Sequence, residues 1–199
     1  MNHSSNDAGY LEIFVGCMYS GKTSKLLEIY KQCKFCNIPV TVINHSFDNR
    51  YHNTMMSSHD KVMIPCIQAK TVGEVWDNYD LDTIYDTNCE NVEIHSAKII
   101  LINEAQFFED LYPYVLKMIA AKKTVFISGL DGDFERAKFG QILDLIPLCD
   151  KITKLHSLCS LCKDGTPGIF SHRIGDEKQQ TLIGSDNYIP VCRKCYEAK

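Results

Sequence analysis

The chain has 199 residues, 45% hydrophobic and 23% charged, which suits one substantial globular domain or one domain with a small appendage. With 21 basic against 25 acidic residues the net charge is −4, which weighs against a broad footprint on a nucleic-acid backbone. No apolar run approaches the roughly 18 residues of a membrane span, and the polar amino terminus MNHSSNDAG lacks the basic-then-apolar order of a secretory signal, so no membrane partner and a cytoplasmic location are expected.

Residues 10–15, YLEIFV, read as a short strand running into a glycine loop. Helical spacing follows over 22–36, with Leu26, Leu27, Ile29 and Tyr30 near one face. Residues 39–45 (PVTVINH) read as a second strand and 46–60 as a long polar loop. Residues 61–67 (KVMIPCI) can form a strand, which Pro65 restricts to an edge. Residues 71–91 predict helix and loop. Residues 98–102 predict a strand apolar throughout, as when both faces are covered. A helix over 107–121, a strand over 124–130 and helical spacing at 141–148 complete the alternation, which implies an α/β fold: an open parallel sheet with helices on both faces. The composition changes near residue 150. Residues 1–150 read as the main α/β domain, and 151–199, with four cysteines, turn-rich KDGTPG and GSDN, and β-like stretches near 168–174 and 180–184, as a small second unit.

Gly16-Cys17-Met18-Tyr19-Ser20-Gly21-Lys22-Thr23 fits the phosphate-loop pattern G-x-x-x-x-G-K-[ST], between a strand and a helix as that motif requires. Backbone N–H groups there face the β- and γ-phosphates of a nucleotide; Lys22 brings a mobile positive charge, and Thr23 a hydroxyl for Mg²⁺. Cys17 sits near a helix amino terminus, where a thiol can be activated. In an open α/β sheet, ligands gather at the carboxyl ends of the strands, which selects Asn103, Glu104 and Asp131; a helix cap is the alternative for each, and carries least weight for Glu104, which precedes an apolar helix on the same edge as the phosphate loop.

In a reducing compartment, ten cysteines read as metal ligands, buried small side chains or reactive thiols. Cys159-x-x-Cys162 and Cys192-x-x-Cys195 are two knuckles separated by residues 163–191. Four thiolates so arranged make a closed tetrahedral zinc site, structural because no ligand position stays open. Cys33 and Cys36 have the same spacing inside a predicted helix, where packing or a helix end accounts for them.

With these residues in place, the chain resembles the type II thymidine kinases over about residues 10–197. The similarity lies in GCMYSGKT, DNRY with SHDK, NEAQFF, GLDGDFERAKFG, SHRIGDEKQ and IGSDNYIPVCRKCY, in that order. The resemblance implies transfer of the ATP γ-phosphoryl to the 5′-hydroxyl of thymidine, with Mg²⁺, structural zinc, a homotetramer and dTTP as feedback inhibitor. It implies Glu104 as the base, Asp60 and Asn103 near the magnesium, and Met18, Phe107, Leu130, Phe134 and Phe139 around the pyrimidine. Residues 175–188 would form a lasso closing over the base, with Ile183, Gly184 and Tyr188 as contacts. Recognition of the pyrimidine edge by backbone groups would admit deoxyuridine as well. Cys17 stands where the family usually has Pro, Lys61 where Arg is common, and Asn103 where Asp is usual; Asn keeps a carbonyl oxygen but removes a negative charge beside Mg²⁺. A weakly active or inactive homologue, and a zinc-knuckle ATPase acting on nucleic acid, stand as the alternatives.

Overall fold

The computed structural model describes residues 8–47, 55–57, 62–77, 93–182 and 187–198. Asp60, Ile183, Gly184 and most of the loop expected at 46–60 lie outside the described residues.

The elements run β1 (Tyr10–Gly16), α1 (Lys22–Phe35), β2 (Val40–His45), β3 (Met55–Ser57), β4 (Met63–Pro65), β5 (Ile67–Ala69), α2 (Val72–Trp76), β6 (Ile99–Asn103), α3 (Leu111–Ala120) and β7 (Thr124–Gly129). After these come β8 (Lys151–Leu155), β9 (Ser157–Leu158), β10 (Pro167–Gly168), β11 (Phe170–Arg173), β12 (Tyr188–Val191) and α4 (Arg193–Glu197). Six strands form one sheet in the order β5-β2-β6-β7-β1-β8, every pairing parallel.

Alternation along the buried strands divides the core in two. Ile100 and Ile102 of β6 face Phe108, Leu111, Val115 and Met118 on the α3 side. Ile99 and Leu101 join Leu26, Leu27, Ile29 and Tyr30 of α1 on the other. Helices thus cover both faces, which is why β6 can be apolar from Ile99 to Ile102. Cys33 is buried in the α1 cluster and Cys36 ends the helix exposed, so that pair is packing plus terminus.

Several boundaries differ from the sequence expectation. The 61–67 stretch divides at Cys66. Pro65, which has no N–H for a ladder, ends β4 in a small antiparallel hairpin with β3, and β5 supplies the edge of the main sheet. The 107–121 helix begins later, at Leu111, after a 3₁₀ turn over Ala105–Phe107. Residues Ile142–Leu148 form a 3₁₀ helix containing Pro147. The main sheet passes residue 150, because β8 pairs with β1 from Glu12 to Gly16. The stretch near 168–174 contains β10 and β11, and β12 lies at 188–191; of the stretch expected at 180–184, residues 180–182 are not in a strand and 183–184 lie outside the described residues; β9–β10 and β11–β12 are two-stranded antiparallel ribbons.

Candidate active site

β1 delivers the phosphate loop to the carboxyl edge of the sheet. At Gly16 a Cβ would stand 2.2 Å from the Leu155 carbonyl oxygen, so the approach of β8 requires glycine. Tyr19 and Gly21 take left-handed backbone angles, φ 61° and 84°, turning the chain into α1. Lys22 Nζ donates to the Cys17 carbonyl at 2.6 Å and to Ser20 Oγ at 3.5 Å, which closes the loop on itself. The Met18 N–H donates to Ser171 Oγ at 2.9 Å, tying the loop to β11. Cys17 donates through Sγ to the Gly168 carbonyl at 3.1 Å, and burial pushes its pKa up. Desolvation is the largest influence on this thiol, ahead of the opposing Ser157 backbone hydrogen bond and Lys22 charge, and it runs counter to the activation that a place before a helix suggests.

Behind the loop, a row of polar side chains crosses neighbouring strands. Register places Gln68 beside Asn44 and Asn44 beside Asn103. Asn103, 1% exposed, donates from Nδ2 to Asn44 Oδ1 at 2.8 Å, and Asn44 donates to Gln68 Oε1 at 3.3 Å. Asn103 Oδ1 accepts from Ser128 Oγ at 2.8 Å and from Thr23 Oγ1 at 3.4 Å. The carboxamide oxygen is thereby aimed at the phosphate loop. Neither Asn103 nor Glu104 caps a helix through its side chain.

Glu104 turns away from this row. Its backbone is left-handed (φ 52°, ψ 40°), and its Oε2 accepts from Gln106 Nε2 at 2.7 Å. Gln106 Oε1 accepts from the Leu130 N–H at 3.0 Å. Phe107 packs edge-on against Phe139 at 5.4 Å and against Phe47 at 5.7 Å, and meets His45 at 5.4 Å. Burial lowers the His45 pKa. Phe107, Leu130 and Phe139 thus gather around Gln106.

A second group forms around Arg173, which is buried. Its guanidinium lies 3.7 Å over the Phe134 ring and 5.1 Å from the Tyr188 ring centre. It donates to the Glu177, Gln179 and Gln180 carbonyls at 2.7, 2.6 and 3.1 Å and to the Tyr188 hydroxyl at 2.5 Å. Gln180 reaches back to Asp133 Oδ2 at 2.8 Å. One side chain therefore fastens residues 177–180 over two aromatic rings. Asp131 pairs with Lys154 at 2.6 Å.

Sequence reading passed over the roles of Asn44, Gln106 and Arg173. Asn44 carried a usable signal, a polar residue ending an apolar strand, the same one that selected Asn103. Gln106 and Arg173 lie within the motifs NEAQFF and SHRIGDEKQ, but no spacing rule gave them a role, because the contacts to Leu130 and to the Phe134 and Tyr188 rings form only in the folded chain.

The four knuckle sulfurs converge, all within 4.8 Å of one another, with Cys162 Sγ 3.4 Å from Cys195 Sγ and 3.7 Å from Cys192 Sγ. Burial raises the Cys159 pKa, but N–H donors of Cys162, Cys192 and Leu161 outweigh it and bring the thiol down to about 6. Cys162 is pushed up to about 12, chiefly by its hydrogen bond with Cys195. Four thiols, one already favouring thiolate, at spacings near those of a tetrahedral sulfur shell, are compatible with structural zinc.

The family description "Thymidine kinase" matches residues 9–196. A thymidine kinase of Sheeppox virus (strain KS-1) is 35% identical over 192 residues, covering 96% of this chain and 98% of that one. One from Oryza sativa subsp. japonica is 36% identical over 191 residues, covering 94% of this chain and 66% of the relative. One from Myxoma virus (strain Uriarra) is 33% identical over 190 residues, covering 94% and 96%.

Proposed function

Because the chain belongs to the thymidine kinase family, whose members phosphorylate thymidine, we propose that it carries the γ-phosphoryl of ATP to the thymidine 5′-hydroxyl, with Glu104 as the base. The observation that supports this is the divergence of two consecutive residues at the end of β6. Asn103 faces Thr23 of the phosphate loop, while Glu104 is linked through Gln106 to Leu130. A phosphate donor held at the loop and a nucleoside beside Phe107, Leu130 and Phe139 would meet at that carboxylate. Phosphoryl transfer depends mainly on positioning, so Glu104 orients the hydroxyl and takes its proton, with little covalent chemistry asked of the protein.

The phosphate-side donors fit Mg²⁺. Thr23 Oγ1 and Asn103 Oδ1 are hard oxygens 3.4 Å apart, and Asp60 completes the set in our reading. These residues would hold the ion, which supplies charge neutralisation to the phosphates when bound. Met18, Phe134 and Tyr188, with Ile183 and Gly184, complete the base pocket. The lasso then admits thymidine and deoxyuridine and rejects purines by shape. Cys159, Cys162, Cys192 and Cys195 hold structural zinc. On family grounds we also assign a homotetramer, dTTP as inhibitor and the cytoplasm as location. Purified protein with ATP, Mg²⁺ and thymidine is expected to form dTMP. Glu104→Gln is expected to abolish turnover while thymidine binding survives, and unchanged turnover would refute the assignment of the base. No product at any magnesium concentration would favour the inactive homologue.

A further inference from the structure

Gln106 belongs to no phosphate-binding, metal or base-pocket set, yet it touches both the Glu104 carboxylate and the wall formed by Leu130. We propose that Gln106 is a positioning residue that fixes the Glu104 carboxylate relative to the base pocket; this rests on the reading of Glu104 as the base.

Glu104 occupies a left-handed conformation disfavoured for a residue with a side chain, so its placement needs support from its surroundings. The Phe107 N–H donating to the Glu104 carbonyl at 3.1 Å holds the backbone. The carboxylate itself is reached by Gln106 Nε2 at 2.7 Å. Gln106, 3% exposed, is in turn seated on both sides by glycine. A Cβ at Gly129 would stand 2.7 Å from Gln106 Oε1, and one at Gly140, where φ is +62°, would stand 2.1 Å from the Gln106 carbonyl oxygen.

The polarity of the amide is also determined. Leu130 N–H can only donate, so the Gln106 oxygen faces Leu130 and its NH₂ faces Glu104. The side chain is then a spacer of set length and direction. One end reads backbone at the base pocket, and the other presents a donor suited to an ionised carboxylate. Asparagine is one methylene shorter and cannot reach both partners.

The test uses the full chain with its zinc, comparing Gln106→Met and Gln106→Glu with the parent and with Glu104→Gln. Gln106→Met keeps the volume and loses both hydrogen bonds. Its kcat is expected to fall about 10–100-fold while the thymidine Kd stays within about threefold. Gln106→Glu keeps the acceptor for Leu130 but sets two carboxylates in contact, so they share a proton near neutrality. Its activity is expected to recover as pH rises, with the acid limb of the pH–rate profile displaced upward from the parent's. A Gln106 that only fills space, without touching the Glu104 carboxylate, would leave that limb in place.

A parent-like kcat in Gln106→Met, or a superimposable pH profile in Gln106→Glu, overturns the proposal. So does a loss confined to thymidine Kd, which would assign Gln106 to the base pocket alone. If Glu104→Gln itself turns over normally, the underlying reading of the base fails instead. If Gln106→Met does not fold, the pH profile of Gln106→Glu, checked for zinc content and parent-like Tm, decides.

Discussion

Replacing Asn103 with aspartate exchanges one NH₂ for oxygen at the centre of the polar row. The Nδ2 donation to Asn44 Oδ1 at 2.8 Å is lost, and two oxygens face one another in a site from which water is excluded. Asn44 can reverse its amide and donate. It then presents oxygen to Gln68, which must also reverse, and Gln68 presents oxygen to Cys66, whose thiol can donate. The hydroxyls of Ser128 and Thr23 already point at the position and suit a carboxylate. Most pairings are therefore recoverable, and the residual cost is that of a buried charge with imperfect partners, about 1–3 kcal/mol. For a chain of this length each kcal/mol moves Tm by about 2–4 °C, so a loss of about 2–12 °C is expected without magnesium. Mg²⁺ with ATP should restore more Tm in the variant than in the parent, because the added charge binds the cation. Turnover should half-saturate at lower magnesium, and thymidine KM should not move. Thermal unfolding with and without Mg²⁺, a magnesium titration of kcat and a thymidine titration measure these outcomes. An unchanged Tm in magnesium-free buffer and an unchanged titration would refute the reasoning, showing that the amide row does not set this oxygen.

Three further outcomes follow from other parts of the structure. Cys192→Ser should lower zinc, measured by atomic absorption, from about one ion per chain, and make residues around β9–α4 protease-sensitive; a parent-like metal content would refute the four-cysteine site. Arg173→Met should speed proteolysis between 174 and 187 and weaken thymidine binding while zinc is retained. Arg173→Lys should rescue only partly, since an ammonium lacks the fork that serves three carbonyls, and equal protection in all three proteins would refute the clamp. Burial holds the His45 imidazole below its ordinary 6.5, so the unfolded chain binds a proton that the folded chain resists. The stability this histidine permits is present above that value and lost as pH falls through it. His45→Phe should therefore shrink the Tm difference between about pH 7.5 and pH 5.5, and an unchanged difference would assign the slope elsewhere.

What the chain made legible by itself is what neighbouring residues decide. Spacing alone matches the phosphate-loop pattern, because Gly16, Gly21, Lys22 and Thr23 fall within eight consecutive residues. Alternating apolar strands and helices predicted a sheet covered on both faces, and the two core clusters are those faces. The knuckles were readable because two C-x-x-C pairs outside any predicted helix can supply four sulfurs, whereas Cys33 and Cys36 fall on one; the fold brings the four sulfurs within 4.8 Å. The tertiary structure decided what depends on partners far along the chain. Pairing β1 between β7 and β8 carries the sheet past residue 150, where composition had suggested a boundary. Parallel register across β5, β2 and β6 aligns Gln68, Asn44 and Asn103 and so gives the asparagine a direction as well as a position. Gln106 meets Leu130 across 24 residues, and Asp133 meets Gln180 across 47. Hydrophobic period specifies which face of an element is buried, but the identity of its neighbour is fixed only when the strands have been ordered and packed.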